Sequence, residues 1–215
     1  MVGDYKSISQ RKIQERDAKI PDAWKLSKVP TGDNLLQVPE TCGILTPREI
    51  EITGTYDSVD LLKKIHSGEF TAEEVTIAFC KRASIAQQLL NCLTEILFEE
   101  AIAVAQKQDE YFKRTGEVVG PLHGLPISLK DSMNIKGVDS SISITALAFQ
   151  PEKEDSGVTT ALLKAGAIIF CKTNVPQSMM VLDTDNFTFG RCRNPHSEFI
   201  TAAGSSGGAG KSNVL

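Results

Sequence analysis

No apolar run in these 215 residues is long enough to span a bilayer. The polar start, Met1-Val2-Gly3-Asp4-Tyr5-Lys6, lacks the apolar stretch of a secretory signal. The closing Lys211-Ser212-Asn213-Val214-Leu215 is neither a peroxisomal nor a retention signal. The expected location is therefore cytoplasmic. An excess of positive charge is also missing. Lys and Arg number 23 against 27 Asp and Glu, a net charge of −4. No strong basic patch offsets phosphate repulsion, which argues against a nucleic-acid partner. The five cysteines, Cys42, Cys80, Cys92, Cys171 and Cys192, are scattered, odd in number and never paired as Cys-x-x-Cys. That excludes a zinc ribbon or a disulfide scaffold and leaves free thiols in a reducing compartment. Internal repeats and low-complexity tracts are absent as well.

What is present is the composition of an ordinary globular protein, 41% hydrophobic and 23% charged. The length suits one domain or part of a larger one. Residues 4 to about 20 are charged and weakly periodic, and read as an exposed helix ending near Pro21. Pro30, Gly32, Pro39 and Gly43 then mark an extended connection. Thr46-Pro47-Arg48-Glu49 combines a cap, a first-turn proline and a returning carboxylate. Asp57-Ser58-Val59-Asp60 opens a short helix that should stop at Ser67-Gly68. Thr71-Ala72-Glu73-Glu74 is a second capping box, and Val75, Phe79, Ala83 and Ala86 form the core-facing stripe behind it. Glu99 to Arg114 is a further helix closed by Thr115-Gly116.

The second half changes character. Ile127-Ser128-Leu129 is a short strand candidate. Val158 to Ala165 reads as a helix stopped by Gly166, and Ala167-Ile168-Ile169-Phe170-Cys171 as a buried parallel strand. Helix followed by buried strand indicates an α/β fold with helices packed around a sheet. No linker separates two independent domains.

Two motifs carry chemistry. Lys130 follows Gly124-Leu125-Pro126 and the short strand. A lysine there has its stem packed and its amine aimed into a crevice, where an amine kept from water serves as a base. Alone, it would read as a surface pair with Asp131. Ser205 and Ser206 sit in Gly204-Ser205-Ser206-Gly207-Gly208, whose glycines permit close backbone approach. The same loop ends in Gly210-Lys211-Ser212, like a phosphate-binding P-loop, but the glycine that motif needs is replaced by Ser205. His123 and His196 lie in Pro/Gly segments without a Gly-x-Ser-x-Gly partner and read as structural.

Ordered segments from about Pro39 to Gly210 resemble fungal acetamidase-type members of the amidase signature family. They include Pro39-Glu40-Thr41-Cys42-Gly43, Asn91-Cys92-Leu93-Thr94-Glu95, Gly120-Pro121-Leu122-His123-Gly124, Cys171-Lys172-Thr173-Asn174-Val175-Pro176-Gln177 and Asn194-Pro195-His196. The resemblance implies an α/β/α sandwich with a mixed central sheet, preceded by N-terminal helices. Residues 1–45 would be a leading helix and extended segment, and residues 46–215 a partial amidase domain. It implies hydrolysis of small, acetamide-like carboxamides, with no metal and no organic cofactor. Lys130 would be the base. Ser205 would be the bridging serine, with a cis peptide bond at its junction with Ser206. Met179 and Met180 would line the substrate pocket, although core packing is an equal reading of methionines. Ser206 would orient substrate or form the turn, and Asp131 would support the neighbourhood of Lys130. A small-molecule amide is the expected partner, and a homo-oligomer is compatible.

The chain also departs from the family. Ala202-Ala203 stand where a glycine is usual, and Ala209 where an acidic residue is common. The family's attacking serine lies about two dozen residues beyond the bridging one, and ten residues follow Ser205. The expectation is the N-terminal part of an amidase, inactive alone, with a sheet edge left uncovered. The alternative is a non-catalytic relative that acts by binding a partner.

Overall fold

The structure, a computed structural model, describes residues 4–212. Its elements run α1 (Tyr5–Ala18), α2 (Val38–Thr41), α3 (Pro47–Gly54), α4 (Ser58–His66), α5 (Ala72–Leu90), β1 (Leu93–Ile96), α6 (Phe98–Thr115), β2 (Pro126–Lys130), α7 (Gly157–Lys164), β3 (Ile168–Thr173) and α8 (Gly207–Ser212). Among them no helix is long and apolar enough to cross a membrane.

Local chemistry sets the helix starts. Thr46 Oγ1 accepts the Glu49 N–H while Glu49 Oε2 accepts the Thr46 N–H, which completes a capping box on α3. Asp57 Oδ1 takes the Val59 and Asp60 N–H groups at the head of α4. Thr71 Oγ1 accepts from Glu74 on α5. The Ala72 and Glu73 N–H groups go instead to the Asp109 carboxylate of α6, so this cap also joins two helices. Gly116 closes α6 in the left-handed conformation that glycine adopts without a Cβ penalty.

The Glu49 cap yields a stability prediction. Burial opposes the charge of Glu49, and Lys81 at 2.7 Å, with the Thr46 N–H, outweighs it, so the carboxyl sits below its ordinary value. The associated stability is present above the ordinary glutamate value of 4.5 and is lost as pH falls through the lower folded one. Glu49→Gln keeps the cap and removes the ion pair. Urea unfolding at pH 7 should show a loss of about 1–2 kcal/mol that shrinks toward zero at pH 3. An equal loss at both pH values would sink the assignment.

The sheet is mixed, in the order β1–β3–β2, with β1 antiparallel and β2 parallel to β3. Every residue of β3 is buried, as its apolar run requires of a central strand. The main core lies between this sheet and α5/α6 and includes Leu89, Leu90, Leu93, Ile96, Phe98, Ile168 and Phe170. A second cluster, Ile52, Leu61, Ile65, Phe70, Val75 and Leu125, fastens α3 and α4 to α5. β1 does not announce itself in the sequence. It is only four residues long, and its polar Thr94 and Glu95 are buried with the rest, so no alternation marks it.

The exposed helix expected over residues 4–20 needs correction. α1 buries Lys12 and Arg16, one turn apart on the same face. Arg16 Nη1 donates to Asn91 Oδ1 and to the Leu93 carbonyl, and Lys19 Nζ to the Ile96 carbonyl. α1 therefore docks on β1 through polar bonds. A charged stripe reads as a solvent face when its partners lie about eighty residues further along the chain.

Candidate active site

Lys130 is the last residue of β2 and stands in register with Thr173 at the end of β3. Parallel pairing brings both carboxyl ends to one side of the sheet, where sites in α/β folds are commonly built. The Lys130 side chain is half-buried, and its Nζ donates to Ser205 Oγ at 2.8 Å across 75 residues of sequence. A lysine with its stem on a strand and its amine on a hydroxyl is placed to exchange a proton with that hydroxyl.

Ser205 reaches this position through a tightly held loop. The cis peptide bond lies between Gly204 and Ser205, one residue before the expected Ser205–Ser206 junction. The Ser206 carbonyl already accepts the Gly210 N–H and so belongs to the start of α8, and the reversal of the chain comes one peptide earlier. Ser206 itself is exposed at this turn. Ala203 has φ +62°, a left-handed conformation that explains why a glycine is usual nearby. Thr184 Oγ1 donates to the Ala203 carbonyl and accepts the Gly207 N–H. The Gly208 N–H donates to the Asn174 carbonyl at 3.0 Å, just beyond β3.

Gly208 leaves no room for a side chain. A Cβ there would overlap the Asn174 backbone and the Cys92 carbonyl, neither of which can swing aside. Gly208→Ala should cost about 2 kcal/mol in urea unfolding by forcing the serine loop off the sheet. An unchanged midpoint would show that the loop is not seated as described.

Asp131 does not pair with Lys130. Its carboxylate is fully buried. Oδ1 accepts from Thr94 Oγ1 at 2.6 Å and lies 3.8 Å from Lys172 Nζ. Oδ2 accepts the Ile142 N–H at 2.7 Å. Burial pushes the Lys172 amine below its ordinary pKa, against the pull of Asp131. Thr94, Asn174 and Lys172 are the supporting residues that sequence reasoning missed. All three lie inside the segments that carry the resemblance, which was the available signal.

The remaining candidates fall into place differently. Met180 is 83% exposed, while Met179 is half-buried at φ +61° in the same turn. His123 is buried and its Nδ1 accepts the Val119 N–H. Burial, and then the facing His66, lower its pKa and favour the neutral ring that this bond requires. His196 is exposed and its backbone N–H donates to Asn194 Oδ1. Four of the five free cysteines are buried, and burial pushes the Cys92 thiol up to about 12, which keeps it unreactive. The P-loop reading depends on the Lys211 and Ser212 side chains, which lie outside the described residues, as do Asn213 to Leu215.

The chain is similar to known proteins in sequence and in fold. The amidase family model matches residues 74–212. An acetamidase of Emericella nidulans is 46% identical over 98% of the chain and 38% of that enzyme. The solved fatty acid amide hydrolase superposes with a TM-score of 0.90 at 31% identity, over 98% of this chain and 39% of that one. Peptide amidase from Stenotrophomonas maltophilia gives 0.66 at 27% identity, over 72% of this chain and 33% of its own. The chain thus spans about two fifths of the length of the curated relatives it matches. With the family model covering well over half its residues and a lysine–serine contact at the sheet's carboxyl end, the chain belongs to the amidase signature family.

Proposed function

We propose that this chain supplies the base and the bridging serine of a hydrolase that cleaves the carbon–nitrogen bond of small, acetamide-like carboxamides. The observation that carries this reading is the 2.8 Å contact between Lys130 Nζ and Ser205 Oγ. Lys130 Nζ takes the Ser205 hydroxyl proton, and Ser205 takes one from an attacking serine. That serine adds to the amide carbonyl carbon. The C–N bond breaks as the relay returns a proton to nitrogen, and ammonia leaves. Water then hydrolyses the acyl ester to the carboxylic acid. Neither a metal nor an organic cofactor enters these steps. By family spacing the attacking serine lies about two dozen residues beyond Ser205, and turnover is expected to require it. The acetamide preference is supported by the 46% identity to an acetamidase. The cytoplasm is the proposed location.

The test is ammonia release from acetamide. The purified chain should give none. A chimera that continues residue 210 with the matching remainder of the Emericella nidulans acetamidase should be active. Turnover by the chain alone that disappears in Lys130→Ala would overturn the division of labour. An inactive but folded chimera, with the chain held in a stable complex by another protein, would favour the non-catalytic reading.

A further inference from the structure

Lys12 lies in α1, more than sixty residues before the segment matched by the family model, yet it is buried against two carboxylates of that segment. Its Nζ is 2.6 Å from Glu95 Oε1 and 2.7 Å from Asp139 Oδ2, and all three side chains are less than a tenth exposed. Burial opposes the Lys12 charge, but Glu95 and Asp139 override it and raise its pKa.

The loop after Asp139 is where this matters. Ile142, Ser143 and Phe149 all have positive φ without being glycine. Such conformations persist only where the surroundings over-determine them. Two carboxylates do so here. Asp131 Oδ2 accepts the Ile142 N–H and Asp139 Oδ2 the Phe149 N–H. The Asp139 carbonyl also accepts from Lys172 Nζ, which donates to Ser140 Oγ as well. Lys172 precedes Asn174 by two residues, and the Asn174 carbonyl holds Gly208 in the serine loop. Asp131 follows Lys130 directly. The path from α1 to both halves of the lysine–serine pair is therefore continuous.

We propose that Lys12 is a positioning residue of the amidase site, holding the Asp139–Phe149 loop, and through it Lys172 and Asp131, in the arrangement that presents Lys130 to Ser205. The inference rests on the amidase reading for its consequence but not for its test. Amide hydrogen exchange on the 215-residue chain is the measurement. In Lys12→Met, Ile142 and Gly208 should exchange at least about tenfold faster, and Ile65 in α4 should not change. Lys12→Arg, which can also bridge two carboxylates, should restore both rates. If Lys12→Met does not fold, Asp139→Asn should produce the same pattern from the other end of the pair.

A uniform acceleration at all three amides, or no acceleration, would overturn the proposal. So would a failure of arginine to rescue. In the acetamidase chimera, Lys12→Met should lower kcat about tenfold with KM unchanged, and Lys12→Arg should recover it. A chimera that is inactive with Lys12 intact counts against the amidase reading, while the exchange rates still judge Lys12.

Discussion

Alanine at position 130 is expected to lower acetamide turnover by the chimera at least about a thousandfold, with little change in KM. Lys130 Nζ is 2.8 Å from Ser205 Oγ, so it is placed to move the first proton of the proposed relay. Deleting it leaves a serine hydroxyl with nothing to deprotonate it. The loss should appear in kcat because the proton moves only on the way to the transition state. Lys130→Arg should not rescue, since a guanidinium stays charged and cannot accept a proton. Ser205→Ala should cost about as much as Lys130→Ala, and the double variant little more, because relay members act as a unit. A Lys130→Ala chimera retaining a tenth of wild-type turnover would remove Lys130 from the mechanism.

The parts of this molecule that were legible in its sequence are those fixed by neighbours in the chain. Thr46, Asp57, Thr71 and Gly116 cap helices within a few residues of themselves, and each does so in the structure. β3 is legible because its first four residues, Ile168 to Cys171, are the continuous apolar run of a buried central strand. Lys130 and Ser205 stand out because each sits in a short motif of unusual composition.

What was hidden depends on distance. The partners of Lys12 and Arg16 lie in β1 and in the loop at Asp139, so a buried face of α1 looks like a solvated one. β1 is polar at its centre because Thr94 and Glu95 face charges brought from elsewhere. The expected cis bond falls one peptide late because nothing in the sequence marks Ser206 as the first residue to join α8. Sequence reasoning finds the groups that meet, and misses the groups that hold them.

The second large effect is expected from those holding groups. Asp131→Asn should cost about 3 kcal/mol in urea unfolding, although asparagine is nearly the same shape. The substituted side chain can still satisfy Thr94, Ser141 and Ile142. Its carbonyl can accept the Ile142 N–H, and its amide can donate to Thr94 Oγ1 if that hydroxyl turns to accept. What it cannot replace is the negative charge beside Lys172, an amine with no exposure to solvent whose Nζ lies 3.8 Å from Asp131 Oδ1. Breaking one side of a buried pair leaves the other uncompensated, and that penalty exceeds the worth of the pair itself. Asp131→Asn combined with Lys172→Met should therefore recover at least about half of the loss, because methionine fills the lysine stem's space without its charge. The cycle separates charge from hydrogen bonding. If the two losses simply add, the Lys172 amine is satisfied by its bonds to the Asp139 carbonyl and Ser140 Oγ, and Asp131 acts only by holding Thr94, Ser141 and Ile142. If the double variant recovers, the charge pair sets the stability of the loop behind Lys130.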